Sequence, residues 1–498
     1  MEISSILPII PILVAGLAAV LIAINGDKAF WRNLWSTIAS VVAFLAVITM
    51  LPGALDGKIY YINVINLVEN LSLTFRVDDL GLLFGLVASS MWVLVNIYTI
   101  GYMEHEHEKK RFFAFFALSM FAAFGIAFSE NLFTLFIFYE MLSLFTYPLV
   151  VHSGTAEAMK AGAKYLIYTL GGGGFLLVAI IVTYFVTGDL SLSQPGIFDI
   201  SNGAGLLQVL FFMYLIGFGV KAAIMPMHHW LPKAMVAPTP VSTLLHAVAV
   251  VKAGVFGVLR LIYNIYGVDL LIQLGLGLIL VALAAFTILT ASIIATRQDN
   301  LKRRLAYSTI SQLSYIVLGG ALLAPAAAVG AMVHIANHAF TKGTLFMCAG
   351  IIAEETGKKK ISQLNGIGRR LPLTMSAFTI AALGMIGLPP LAGFVSKWYL
   401  GVGAGEANKP IVIAVLVGSS ILNAIYFLPI IYRAFFMQPT AEEEKELVKP
   451  KNRAETVPTM LVPILTTTTM TVILGVFAAV PGLPMSVAKS ATSFLFGG

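Results

Sequence analysis

Apolar runs of about 20 residues, each long enough to cross a hydrocarbon layer about 30 Å thick as a helix, recur along the whole chain. Counting them predicts about fourteen spans, beginning near residues 4, 33, 79, 111, 130, 158, 206, 239, 270, 303, 326, 371, 409 and 457. Most of the polar segments between them are short. Residues 54–78 and 187–204 are longer and poor in helix signal, and the first contains KIYYINVINLVENLSLTF, whose alternation of apolar and polar positions predicts a small hairpin. The expected fold is an all-α polytopic membrane protein with residues 1–498 in a single transmembrane domain.

Two of the runs are interrupted in a corresponding way. In the seventh, Pro226 follows Lys221 by five residues; in the twelfth, Pro389 and Pro390 precede Lys397. Proline removes a backbone hydrogen bond and breaks or kinks a helix, and broken backbone at membrane depth must line protein or water. Paired interruptions in two halves of a chain point to an inverted repeat. Spans four to eight would then match spans nine to thirteen: repeat A over about 111–263, repeat B over about 270–437, with flanking helices in 1–100 and 457–482. No residue-by-residue repeat is visible, so the pairing rests on the breaks and the odd number of spans in each unit.

Charge distribution adds orientation. The chain is 58% hydrophobic and 11% charged, far below the roughly 25% of soluble domains. Its net charge of +7 comes from Lys and Arg gathered in odd-numbered loops, among them Lys28, Arg32, Lys109, Lys110, Arg111, Arg297, Lys302, Arg303, Lys359, Arg369, Lys445, Lys449, Lys451 and Arg453. Even-numbered loops hold little beyond Lys58, Arg76 and Lys409. The positive-inside rule then places both termini outward in a cell membrane and favours an even number of spans. Basic residues used in this way give no sign of nucleic-acid binding. The first 24 residues lack the basic region and cleavage site of a signal peptide, which predicts a retained first span. Past the last span only MSVAKSATSFLFGG remains.

A single cysteine, Cys348, excludes a disulfide framework, a cysteine zinc site and a cysteine-ligated iron–sulfur cluster. No cofactor motif is present, so redox chemistry would sit on a partner. Gly171–Gly174 is not a phosphate loop, since no strand precedes it and no Gly-Lys-Ser/Thr follows; close helix packing explains it better. Glu104, His105, Glu106, His107 and Glu108 adjoin three basic residues and are expected to be a solvated charge run without a metal.

Ionisable residues inside the apolar runs are functional candidates by default, because each is costly to place in lipid. They are Glu140, Lys221, His246, Lys252, His334, His338, Lys342 and Lys397. Lys221 is the natural partner for Glu140. His246 and Lys252 share one span, but at 1.5 Å per residue they stand roughly 9 Å apart on different faces, so water would have to bridge them. His334, His338 and Lys342 recur every fourth residue on one helix face. Two histidines so spaced can share an ion, but the glutamate of a His-Glu-x-x-His motif is absent, and a hydrated proton path is the better expectation. Lys397, seven residues past Pro390, could instead snorkel to the interface.

Residues 217–254, GFGVKAAIMPMHHWLPKAMVAPTPVSTLLHAVAVVKAG, closely resemble the antiporter-like subunits shared by respiratory complex I, the Mrp-type multisubunit cation/proton antiporters and the membrane-bound hydrogenases. So do IGYMEHEHEKKRFFAFF, NLFTLFIFYEMLSLFTYPLV with Glu140, HIANHAFTKG and GLPPLAGFVSKWYL, over roughly residues 100–400. The resemblance implies a Glu140–Lys221 pair whose attraction changes as protons pass, and a central axis through His246 and Lys252 joining an inner half-channel to an outer one. Lys397 matches a family position occupied by lysine or glutamate. Lys233 departs from the family, which commonly has an acidic residue after WLP, and Lys164 is either a tuner of Glu140 or an inside-facing anchor. Some relatives end in a long lateral helix, for which this chain is expected to have no room. The function implied is proton translocation within a multisubunit membrane complex, with other membrane subunits and a redox module as partners and sodium open as a second cargo. A self-sufficient antiporter and a structural membrane subunit with static ion pairs are the alternatives.

Overall fold

Inside a bilayer no water is available to backbone groups, so an apolar run must satisfy its own N–H and C=O groups, and a helix does this within one segment. The computed structural model describes residues 2–68, 71–439 and 455–497 and is helical through most of them. The first half contains α1 (Ile10–Asn25), α2 (Ala29–Leu55), α3 (Asp79–Tyr102), α4 (Lys109–Ala127), α5 (Leu132–Val150), α6 (Ala156–Thr187) and α7 (Ala204–Lys221). Short α8 (Trp230–Lys233) and α9 (Thr239–Thr243) lead into α10 (Val250–Arg260) and α11 (Val268–Gln273). Then come α12 (Leu276–Thr296), α13 (Leu301–Ala321), α14 (Pro325–Thr356), α15 (Ile367–Arg370), α16 (Pro372–Ile386), α17 (Ala392–Glu406), α18 (Ile411–Phe435), α19 (Pro458–Val476) and α20 (Pro484–Leu495).

Among the described residues, ten helices are long and apolar enough to cross a membrane. α13 and α14 have the length but are not among the ten, because polar side chains are threaded through them. The same two helices, with the segment Thr239–Tyr266, are buried nearly all round. Helices α6, α12 and α18 form the periphery and turn large apolar side chains outward, such as Phe185 (82% exposed) and Ile411 (71%). An apolar exterior around a partly polar centre inverts the soluble pattern and suits a lipid surround.

The long polar loop does form a hairpin. Strands β2 (Ile59–Val68) and β3 (Leu71–Val77) pair antiparallel, with Tyr61 opposite Arg76, while β1 (Glu2–Ser4) adds in parallel to β2. That third strand corrects the expected start of the first span. Residues near position 4 are held extended on the sheet, and the helix begins only at Ile10. Arg76 bonds Glu2 at 3.3 Å, and Ser490 and Leu495 of α20 line one cavity with Lys58, Arg76 and Asp78. Both described ends of the chain therefore lie at the sheet-bearing end of the bundle.

The opposite end carries the basic loops. Lys110 pairs with Asp27 (2.8 Å), Arg303 with Glu157 (3.6 Å), and Lys302 donates to the Ala237 carbonyl (2.7 Å). Lys445, Lys449, Lys451 and Arg453 lie outside the described residues.

Both proline-marked breaks are real interruptions. Helix α7 stops at Lys221, and residues 222–229 are non-helical, with Ala223 at φ +55°. The Trp230 indole donates at 2.8 Å to the Val220 carbonyl, which also accepts the Ala223 N–H at 3.1 Å. Helix α16 stops at Ile386, Gly387 takes φ +95°, and the chain resumes helix at Ala392. Glycine adopts that left-handed turn at no steric cost.

Candidate functional site

Glu140 lies near the middle of α5, half-buried, with its carboxylate against Gly173 of α6. A side-chain Cβ at Gly173 would meet the carboxylate oxygen at 2.5 Å. The glycine run thus divides by face: Gly172 packs on Val220 and Gly173 on Glu140, while Gly171 and Gly174 meet open space.

Lys221, the last residue of α7, is fully buried. Its ammonium donates to the Tyr139 carbonyl and stands 3.3 Å from the centroid of the Tyr139 ring. Glu140 and Lys221 remain within electrostatic reach, yet the lysine's hydrogen bond goes to backbone, and Glu140 Oε1 has no hydrogen-bond partner. The expected pair is present as neighbours and not as a closed salt bridge among the described residues. Lys164 leans over Tyr168 and stands near His228 and His229, so Glu140 is not its described neighbour.

The backbone at Gly254 of α10 closes directly on Lys221 and Ala222, with no room for a Cβ. Two residues earlier, Lys252 turns the other way. Its ammonium is 3.0 Å from the Ile335 carbonyl and 2.9 Å from His338 Nδ1. Lys252 and His246 make no direct bond, and the hydrogen bonds of Lys252 run to α14 instead. Leu244–Val248 is a π-helical turn, closed by Ala249 N–H on the Leu244 carbonyl (2.9 Å), so straight α-helical geometry does not apply between the two side chains. His246 packs on the Phe346 ring (4.5 Å), and neither of its ring nitrogens has a hydrogen-bond partner.

His334, His338 and Lys342 do share one face of α14, and each reaches a different helix. His334 Nδ1 lies 2.8 Å from Ser396 Oγ of α17, and its ring stacks on Tyr315 of α13. His338 meets Lys252 of α10, and Lys342 donates to Ser308 Oγ of α13 at 2.7 Å. Lys397 does not snorkel outward. It curls back on its own break, donating to the carbonyls of Met385 (3.0 Å) and Ile386 (2.8 Å) and to Ser420 Oγ (3.0 Å). These are carbonyls that the interrupted helix leaves free.

A branch invisible to the charge pattern joins the two lysines. Ser308 accepts from Lys342 and from Tyr426 (2.9 Å), Tyr426 bonds Asn423, and Asn423 donates to the Met385 carbonyl (3.1 Å) that Lys397 also holds. Sequence reasoning missed Ser308, Ser396, Asn423 and Tyr426. The available signal was Ser308, Gln312 and Tyr315 at helical spacing on α13, and Asn423 with Tyr426 on α18.

Both atoms of the Gln312 amide, Ser314 Oγ, His334 Nε2 and His338 Nε2 are also buried without a protein partner. Such atoms are rarely left orphaned in a folded interior and are normally met by ordered water. The arrangement can therefore hold and pass protons: amines and imidazoles stand side by side, hydroxyls extend from them, and the helices around them exclude lipid.

The family model described as NADH:quinone oxidoreductase/Mrp antiporter, transmembrane, matches residues 129–423, and that for the N-terminus of complex I chain 5 matches residues 65–113. NADH-quinone oxidoreductase subunit N of Desulforudis audaxviator is 38% identical over 74% of this chain and 75% of its own length. A putative antiporter subunit of Staphylococcus saprophyticus is 34% identical over 72% of this chain and 47% of its own, so the chain spans about half of that relative. A chain of the Mrp complex from Dietzia sp. shares the fold with TM-score 0.87 at 22% identity, over 99% of this chain and 98% of that one. A chain of the membrane-bound sulfane sulfur reductase, an archaeal respiratory membrane complex, does so with TM-score 0.85 at 24% identity, over 98% and 97%.

Proposed function

This chain belongs to the NADH:quinone oxidoreductase/Mrp antiporter transmembrane family, and we propose that it translocates protons as the antiporter-like subunit of a multisubunit membrane complex. Lys221 loads from the basic-loop end through the α7 break, near His228 and His229. Its proton passes to Lys252, moves to His338 and His334, and leaves past Lys397 through the α16–α17 break. Glu140 sets how tightly Lys221 holds its proton. Fourteen spans in two inverted five-helix units, over about 111–263 and 270–437, and both termini outward complete the reading. It is supported by the paired breaks and by the gathering of basic loops at one end. Energy arrives from other membrane subunits, a redox module among them, and the chain itself carries no redox group in this scheme.

The observation that carries the proposal is the 2.9 Å contact of Lys252 with His338, beside imidazole nitrogens left for water. Lys252→Met keeps an unbranched side chain one atom shorter and removes its proton site. Complexes shown whole on a native gel and reconstituted in vesicles should then lose proton uptake by at least about tenfold. Uptake at the normal rate would overturn the relay. Loss of assembly would favour a structural role, in which the charges only lock helices together.

A further inference from the structure

The charged segment before α4 is largely exposed, as its sequence implies, but two of its members turn towards a buried histidine. Glu106 and His107 sit over His152, from the turn that follows α5, and one ligand atom from each lies within 4.8 Å of the others. The His107 ring stacks on that of His152 at 4.6 Å, His107 Nε2 is 2.9 Å from the His152 carbonyl, and His107 Nδ1 is 3.6 Å from Glu106 Oε2. His152 is 1% exposed, walled by Phe112 at 5.1 Å, and neither of its ring nitrogens has a hydrogen-bond partner. A buried imidazole without a partner is uncommon and needs a reason.

We propose that Glu106, His107 and His152 form a binding site for a divalent transition-metal ion of the zinc type. Two imidazoles and one carboxylate are a donor set that zinc takes in tetrahedral sites whose fourth position is left to water. Arg111, near the His152 carbonyl at 3.5 Å, opposes a cation, while Glu104 and Glu108 flank the site with negative charge. On capture, His107 exchanges its contact with the His152 carbonyl for a bond to the ion. The ion would then tie the α3–α4 turn to the end of α5, the helix that bears Glu140.

The test uses the full chain with whatever subunits accompany it, purified through a tag without histidine, stripped with chelator and titrated with cobalt(II) alone. Ligand-field absorption of imidazole-bound cobalt is the readout, and zinc should displace it. Wild type should take up one more equivalent than His152→Gln. His107→Ala and Glu106→Gln, both at accessible positions, should bind at least about tenfold more weakly, whereas His105→Ala should bind as wild type does. If His152→Gln fails to fold, the two accessible variants carry the comparison. Uptake that is absent in wild type, or unchanged in His107→Ala, overturns the site.

Discussion

At the scale of single residues, the relay depends on groups whose protonation can change. Burial disfavours the charged form of a lysine, and a nearby carboxylate favours it. Lys221 has both influences on it, with a backbone carbonyl and an aromatic face as its immediate contacts. Arginine would keep the charge and never release its proton. Lys221→Arg is therefore expected to give an assembled complex with little or no translocation, and the double variant with Glu140→Gln should be scarcely worse than either single one. Proton uptake in vesicles checks both, and normal uptake by Lys221→Arg would leave the lysine as fixed charge only. Gly173 supplies a sharper probe. In α6, Gly173→Ala should stabilise the helix by up to about 1 kcal/mol but push the Glu140 carboxylate from its place; Gly174→Ala, facing open space, gains the same propensity and disturbs nothing. Translocation should fall severalfold in the first and stay normal in the second. The charged members of the site were legible in the sequence because lysine and histidine in an apolar run have few innocent explanations. Ser308 and Tyr426 were not, since hydroxyls in such runs commonly bond their own helix, as Thr309 does to the Leu305 carbonyl.

At the scale of elements, periodicity located α14 and its polar stripe, and proline located both breaks, because these signals are local. The hydrogen-bond partner of Lys252 was not legible, because His338 lies 86 positions away in the sequence and pattern reasoning sees only neighbours on the same helix. The hairpin was legible from alternation, whereas the strand added by Glu2–Ser4 was hidden by its brevity. One expectation follows for α14. In a Cys348→Ala background, cysteines at His334, His338 and Lys342 should react with a small hydrophilic thiol reagent faster than cysteines at Val333 or Ile335. All five positions are nearly inaccessible from outside, so any difference reports internal water. Equal inertness at the five would mean a dry helix.

At the scale of the whole molecule, long-range polar contacts fix how the helices stand. Arg260 at the end of α10 is 1% exposed and grips Asp78, the N-cap of α3, through its two terminal guanidinium nitrogens, while bonding Asn264 at 3.1 Å. Asn264 in turn holds the Leu192 carbonyl at 2.9 Å. Removing one member of a buried pair strands the other, at a cost of about 3–5 kcal/mol. Arg260→Met should accordingly lower the thermal midpoint of the purified chain markedly, and adding Asp78→Asn should restore part of the loss. A midpoint unchanged in the single variant would show the pair to be dispensable. The placement of the relay has an electrical consequence. Glu140 and His338 are near the middle of their helices, and Lys221 and Lys397 border breaks in theirs, so the proposed relay would run mainly sideways between helices. Moving a unit charge through the full membrane potential takes about 2.3 kcal/mol per 100 mV, whereas moving it parallel to the membrane takes almost none. The step from Lys252 to His338 should therefore be blind to voltage, and all electrical work falls on the short passages that lead from the relay to either surface.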